Sequence, residues 1–180
     1  MESNTHSTHA SDRLADLEAA VNALAAQDLD GLPDATAAEQ VLRLRRLVDR
    51  LEGQWLNELA AVDARGASGA DQGQQIDSTA AWLRNRLRLG ADAASGAVRT
   101  ARALFRGPLT ATATALTNGV ISPAHASVLA HGTRDLAAHL TVEAEPVLLE
   151  AAGRLDPPRL RKVLGASAGR GRPRWRTRPG

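Results

Sequence analysis

Between residues 41 and 62, large apolar side chains recur at spacings of 3, 4, 3, 4, 4 and 3: Val41, Leu44, Val48, Leu51, Trp55, Leu59 and Val62. That rhythm lays one apolar stripe along an α-helix and does not fit the two-residue alternation of a strand. The helix it predicts runs from about Ala37 to Ala64 and, at 1.5 Å per residue, spans roughly 40 Å. A stripe of that length needs a cover. One candidate is the segment "DRLADLEAAVNALAAQ", where Leu14, Leu17, Val21 and Leu24 form a shorter stripe behind Ser11 as N-cap. "DLDGLPD" breaks that helix, Asp34 or Thr36 caps the long one, and a short connection lets the first fold back on the second. The other candidate is a second copy of the chain, a homodimer through the long helix.

The rest of the chain agrees with a helical fold. One Phe, three Trp and no Tyr leave the core to Leu, Val and Ala, and Ala and Leu are strong helix formers. The expected class is all-α, a multi-helix domain around the long central helix. It occupies residues 11–165, with residues 1–10 and the Arg/Gly/Pro-rich residues 166–180 disordered. With no cysteine, disulfides and thiolate zinc sites are excluded. No apolar run approaches the ~18 residues of a membrane span, so no membrane partner is expected. The polar start "MESNTHSTHASD" does not read as a secretory signal, which makes the cytoplasm the expected compartment.

The formal net charge of +2 divides unevenly. Five of the 22 basic residues lie in residues 166–180 with no acid among them, leaving a body with 17 basic and 20 acidic side chains. Arg outnumbers Lys 21 to 1, a ratio that GC-rich coding produces, so arginine abundance alone carries little functional weight.

Beyond the loop "RGASGADQGQQID", Asp77 or Ser78 caps "TAAWLRNRLRL" and Gly90 ends it. "ADAASGAVRTARALF" follows, stopped by Gly107-Pro108, and then "LTATATALT", closed by Asn118-Gly119. Ser122 is an N-cap with Pro123 in the first helical position, opening a helix through "AHASVLAHG". Further helices are expected at "RDLAAHL", at "VEAEPVLLEAAGRL" with Thr141 as cap and Pro146 in its first turn, and at "PPRLRKVLG" with Asp156 as cap.

Catalytic chemistry finds little support. His125, His131 and His139 lie six and eight residues apart, whereas two ligands on one helix need three or four. No metal or other cofactor is expected. The chain has no GxSxG elbow, and "GADQGQQ" lacks the spacing of a phosphate loop, so no small-molecule substrate is evident. Glu143 and Glu145 stand two apart on a helix, facing different ways, and read as acids favouring a helix N-terminus. The chain is expected not to be an enzyme.

Nucleic-acid binding has positive support. Arg84, Arg86, Arg88, Arg99, Arg102 and Arg106 fall within 23 residues that hold one acid, Asp92. Arg84 and Arg88 are one turn apart, and Arg99, Arg102 and Arg106 line one face of the next helix. Two short helices with an arginine stripe on the second suit phosphate contact in the manner of a helix-turn-helix, and Arg84, Arg88, Arg99, Arg102 and Arg106 are the candidate contacts to DNA. The register fits better one pair later, with Ala115 four before Gly119 and Val128 nine after it. That second helix, however, offers Ser127 and histidines in place of arginines.

The runs "STAAWLRNRLRLGADAASGAVRTARAL", "LTATATALTNGVISPAHASVLAHG" and "EAEPVLLEAAGRLDPPRLRKVLG", together with "LVDRLEGQWLNELAAVDARG", resemble the actinobacterial 13E12-repeat family, catalogued as domain of unknown function 222. The resemblance covers roughly residues 40–165. It implies a helical region ahead of an HNH nuclease domain. The His-Asn-His constellation of that domain has no counterpart here, so the resemblance supplies no catalytic residue. Because the tail has the composition of GC-rich DNA read out of frame, a truncated or frameshifted member is the expectation. The two functions left open are a nucleic-acid-associated accessory domain and a protein–protein module that dimerises without binding DNA.

Overall fold

The computed structural model describes residues 3–67 and 78–168. They form eight helices and, among the described residues, no strand: α1 (Ser3–Ala25), α2 (Asp34–Ala64), α3 (Thr79–Leu87), α4 (Ala91–Phe105), α5 (Thr110–Thr117), α6 (Pro123–Gly132), α7 (Ala138–Ala152) and α8 (Pro157–Ala168). The expected loop at 68–77 and most of the basic tail lie outside the described residues. No described helix is long and apolar enough to cross a membrane. The chain divides into two compact units, residues 1–43 and 44–180, and the division falls within α2.

In the first unit α1 runs through Ser11, which had been expected to cap it. Its stripe of Leu14, Leu17, Val21 and Leu24 is exposed. The connection turns at Asp28, whose carboxylate accepts the Asp30 N–H at 3.1 Å. Asp34 sits in the first turn of α2, where a carboxylate suits the positive end of the helix dipole.

The second unit holds the core. Leu56, Leu59 and Ala60 of α2 join Leu83 of α3, Ala94, Val98, Ala101 and Leu104 of α4, and Ala113 and Leu116 of α5. Ala126, Val128 and Leu129 of α6, Ala144 and Leu148 of α7 and Leu160 of α8 complete it. α4 packs on α3, α5 and α6, while α6 packs on α4, α5 and α8. These are small and aliphatic residues, as the composition required.

The stripe that defined α2 in the sequence is not what buries most of it. Val41, at 67% exposure, and Leu44, Val48 and Leu51 are all exposed, and Trp55 is half-buried. The covered face is Asp49, Gly53, Leu56 and Ala60, at spacings of 4, 3 and 4, joined towards the end of the helix by Leu59 of the stripe itself. Close approach decides between the faces. A Cβ on Gly53 would lie 3.0 Å from Leu116 Cγ, so the gap at this glycine is what admits α5. The leucine stripe has no such gap. Trp55→Ala accordingly falls short of the roughly 3–5 kcal/mol of a fully buried ring.

The caps are mostly where the sequence placed them. The Ser78 hydroxyl accepts the Ala81 N–H at 3.2 Å, and Asp156 accepts the Arg159 N–H at 2.8 Å. The helix expected at "RDLAAHL" is not separate. Only its end is helical, and it continues into α7, so Thr141 lies inside that helix, buried, with its hydroxyl donating to Ala137 O. Pro146 is therefore interior rather than in the first turn. It stands on the exposed side one turn beyond exposed Val142, so the carbonyl it leaves without a helical donor is on the solvent face.

Candidate nucleic-acid interface

α3 and α4 are joined by the three residues Arg88–Gly90, and the two helices pack together. The residue that reverses the chain is Arg88, at φ +54° and ψ +36°, whereas Gly90 is the extended N-cap of α4. The glycine expected to end α3 is thus displaced by an arginine in the left-handed region, which costs an L-residue roughly 1–2 kcal/mol. Arg84 stands in the last turn of α3 and Arg106 is the C-cap residue of α4. Cations in those places also suit the negative ends of their helices.

All five candidate arginines are exposed, but they are not equivalent. Arg102 is held by Asp63 of α2, with Nε donating to Oδ2 at 2.6 Å and Nη2 to Oδ1 at 2.8 Å. This bidentate pair draws the Asp63 pKa below the ordinary carboxylate value and raises that of Arg102. A further hydrogen bond from buried Thr79 also stabilises the Asp63 carboxylate, so one side chain of α2 ties down the start of α3 and the last turn of α4. Arg102 is a strut rather than a free cation. Arg84, Arg88, Arg99 and Arg106 have no carboxylate partner among the described residues. Elsewhere Arg45 pairs with Asp49, Arg134 with Asp135, Arg154 with Glu150 and Arg159 with Asp156, whereas Arg13, Arg43, Arg46, Arg50, Arg65 and Arg161 form no ion pair among the described residues. The α3–α4 pair thus holds four arginines without a carboxylate partner among the described residues, close in sequence on two packed helices.

The α5–α6 pair has the turn geometry that the sequence suggested. Gly119 is left-handed at φ +72°. Its N–H donates to Leu116 O and the Val120 N–H to Ala115 O, the paired bonds of a Schellman motif. Arg50 of α2 lies over the turn, with Nε donating to Thr117 O at 3.2 Å. Ile121 is buried, Ser122 caps α6, and Pro123 follows. The helix so launched is a core element. Ala126, Val128, Leu129 and Ala130 are buried, and a narrow strip of Ala124, Ser127 and His131 faces out. It presents no arginine.

Two polar residues carry structural roles that spacing did not reveal. His125 completes a capping box. Its Nδ1 accepts the Ser122 N–H, and its Nε2 lies 2.9 Å from Leu155 O, just before α8. Nε2 must donate to that carbonyl, so the ring is the Nε2–H tautomer. A Ser-x-x-His pattern at a helix start is the available signal, since the usual capping box places Glu or Gln in that position. His131 and His139 are exposed. Among the described residues no three His, Asp or Glu side chains group as metal ligands. Glu145, buried within α7, accepts the Thr112 N–H at 2.7 Å and so caps the N-terminus of α5, whose own N-cap Leu109 has no side-chain oxygen. The Thr112 hydroxyl beside it is buried without a partner.

A family model described as Domain of unknown function (DUF222) matches residues 34–170, which take in α2 to α8. No curated protein and no solved structure matches the chain.

Proposed function

The chain belongs to the DUF222 family, and from that premise we propose that it is a non-catalytic helical domain whose α3–α4 pair contacts the phosphate backbone of DNA. The observation that carries this reading is the set of four exposed arginines without carboxylate partners among the described residues, Arg84, Arg88, Arg99 and Arg106, on two packed helices. Arginine presents a fixed fork of donors to phosphate oxygens, and the four arginines that hold no carboxylate do not have to give up internal ion pairs to bind. The HNH setting implied by the family resemblance makes duplex DNA the first nucleic acid to test. α6 is buried apart from a strip of Ala124, Ser127 and His131 that carries no arginine, so the contact is to backbone rather than to base edges.

The test is fluorescence anisotropy of a labelled duplex with the full chain across roughly 50 to 200 mM salt. Four phosphate contacts give a log–log slope of about −3.5 from the body of the protein. Replacing Arg84, Arg88, Arg99 and Arg106 by Ala removes that contribution, and replacing Arg170, Arg172, Arg174, Arg176 and Arg178 by Ala leaves it. Binding that vanishes with the second set and survives the first contradicts the proposal.

A further inference from the structure

α8 is a short helix held at four places. Leu155 O, just before it, accepts from His125 Nε2 at 2.9 Å, and Asp156 caps its first turn. Leu160 is fully buried, and Leu164 lies so close to α6 that a Cβ on Gly132 would come within 2.8 Å of its Cδ1. On the opposite side of the helix stand Pro158, Arg161, Lys162 and Gly165, at spacings of 3, 1 and 3, all of them exposed. Arg161 and Lys162 form no ion pair among the described residues, and the nearby Asp156 is engaged by the backbone and guanidinium of Arg159. Residues 157–180 hold eight basic and no acidic side chains, so nothing in that sequence offsets the two cations. Gly165 is the unexpected member of this face. Glycine inside a helix is less favourable than alanine, and nothing lies within 4 Å of where its Cβ would be, so packing does not require it. A bare stretch of backbone beside two cations is what close approach of a ligand requires.

From this we infer that the outer face of α8 is a second phosphate-binding surface, which takes the sugar–phosphate backbone of a nucleic acid. Arg161 and Lys162 contact phosphate oxygens, and Gly165 leaves the room for the strand to come close. Because its four anchors already fix α8, the helix need not be ordered on binding. The same charge would attract an anionic membrane, but a helix lying in a membrane surface needs an apolar side to bury. Leu160 and Leu164, the apolar side of α8, are already packed in the core. The inference takes its ligand class from the nucleic-acid reading of α3–α4 and shares no residue with that site.

The test follows anisotropy of a labelled duplex against salt with the full chain, both in the parent and with Arg84, Arg88, Arg99 and Arg106 replaced by Ala. Arg161→Ala with Lys162→Ala should make the log–log slope shallower by about 1.8 in each background, in addition to the share of the α3–α4 arginines. Gly165→Gln places a neutral, helix-favouring side chain on the same face. It should leave the melting temperature equal or higher and weaken duplex binding several-fold. These positions are exposed, so circular dichroism of each variant should match the parent. A slope that moves with the four arginines and not with Arg161 and Lys162 overturns the inference and leaves the α3–α4 reading standing. The reverse result overturns that reading and supports this one, and a slope that neither set moves overturns both. Duplex binding that Gly165→Gln leaves unchanged also overturns the inference. So does an effect of Arg161→Ala with Lys162→Ala that appears only on phosphatidylserine vesicles.

Discussion

In α5–α6 the residue that reverses the chain is Gly119 at φ +72°, and in α3–α4 it is Arg88 at φ +54°. The first turn is supported throughout. A glycine carries the left-handed backbone, a Schellman motif closes α5, Ser122 and His125 cap α6, and Glu145 caps α5 from another helix. The second has a side-chain cap at Ser78, but Gly90 offers none to α4, and an arginine sits in a conformation that favours glycine. Both helix pairs feed the core, but α6 has no arginine on its outer strip, while α3–α4 exposes arginines and holds one of them in a strained backbone conformation. Strain kept at a position that a glycine would relieve points to a use for the side chain there.

That contrast can be broken most severely at His125. His125→Ala removes half of the capping box and the tie to Leu155 O, and should lower stability by about 2 kcal/mol, one hydrogen bond and one cap. Chemical denaturation measures it, and a loss below about 0.5 kcal/mol, the size of an ordinary surface change, denies α5–α6 its structural role. Arg88→Gly acts in the opposite direction. Relief of the left-handed strain, offset by the greater freedom of glycine in the unfolded chain, should leave the protein up to about 1 kcal/mol more stable while it binds DNA more weakly. A variant that is both less stable and unchanged in binding would make Arg88 a packing residue.

The smallest effect is a pH dependence that separates Arg102 from its neighbours. Because the folded-state pKa of Asp63 is lowered, chiefly by its hydrogen bonds to Arg102, its contribution is present in full above the unfolded carboxylate value. It is lost as pH falls through the folded value. Asp63→Asn should therefore flatten the acid limb of the stability profile, below about pH 4, and leave its neutral shape alone. An unaltered acid limb would return Arg102 to the set of free cations.

Local chemistry made much of the fold readable beforehand. Ser78, Ser122, Asp156 and Gly119 act within three or four residues of themselves, and each does what its residue type dictates. Features that depend on distant partners were not readable in that way. Asp63 meets Arg102 across 39 residues, and nothing in an arginine stripe distinguishes the member that a remote carboxylate will hold. Glu145 looked like an acid favouring its own helix and instead caps α5, 33 residues upstream. The stripe on α2 was the strongest periodic signal in the chain, yet of its large residues only Trp55 and Leu59 reach the core, beside a weaker row built on Gly53 and Ala60. Periodicity shows that a face is apolar. What covers that face depends on which neighbour can approach it.

The account rests on the division of labour between the two helix pairs, and a salt titration of duplex binding run on two variants side by side tests it most directly. With Arg84, Arg88, Arg99 and Arg106 replaced by Ala, the log–log slope should become shallower by about 3.5, while replacing Ser127 and His131 of α6 by Ala should leave it unchanged. A slope that moves with the α6 strip and not with the four arginines would contradict the account.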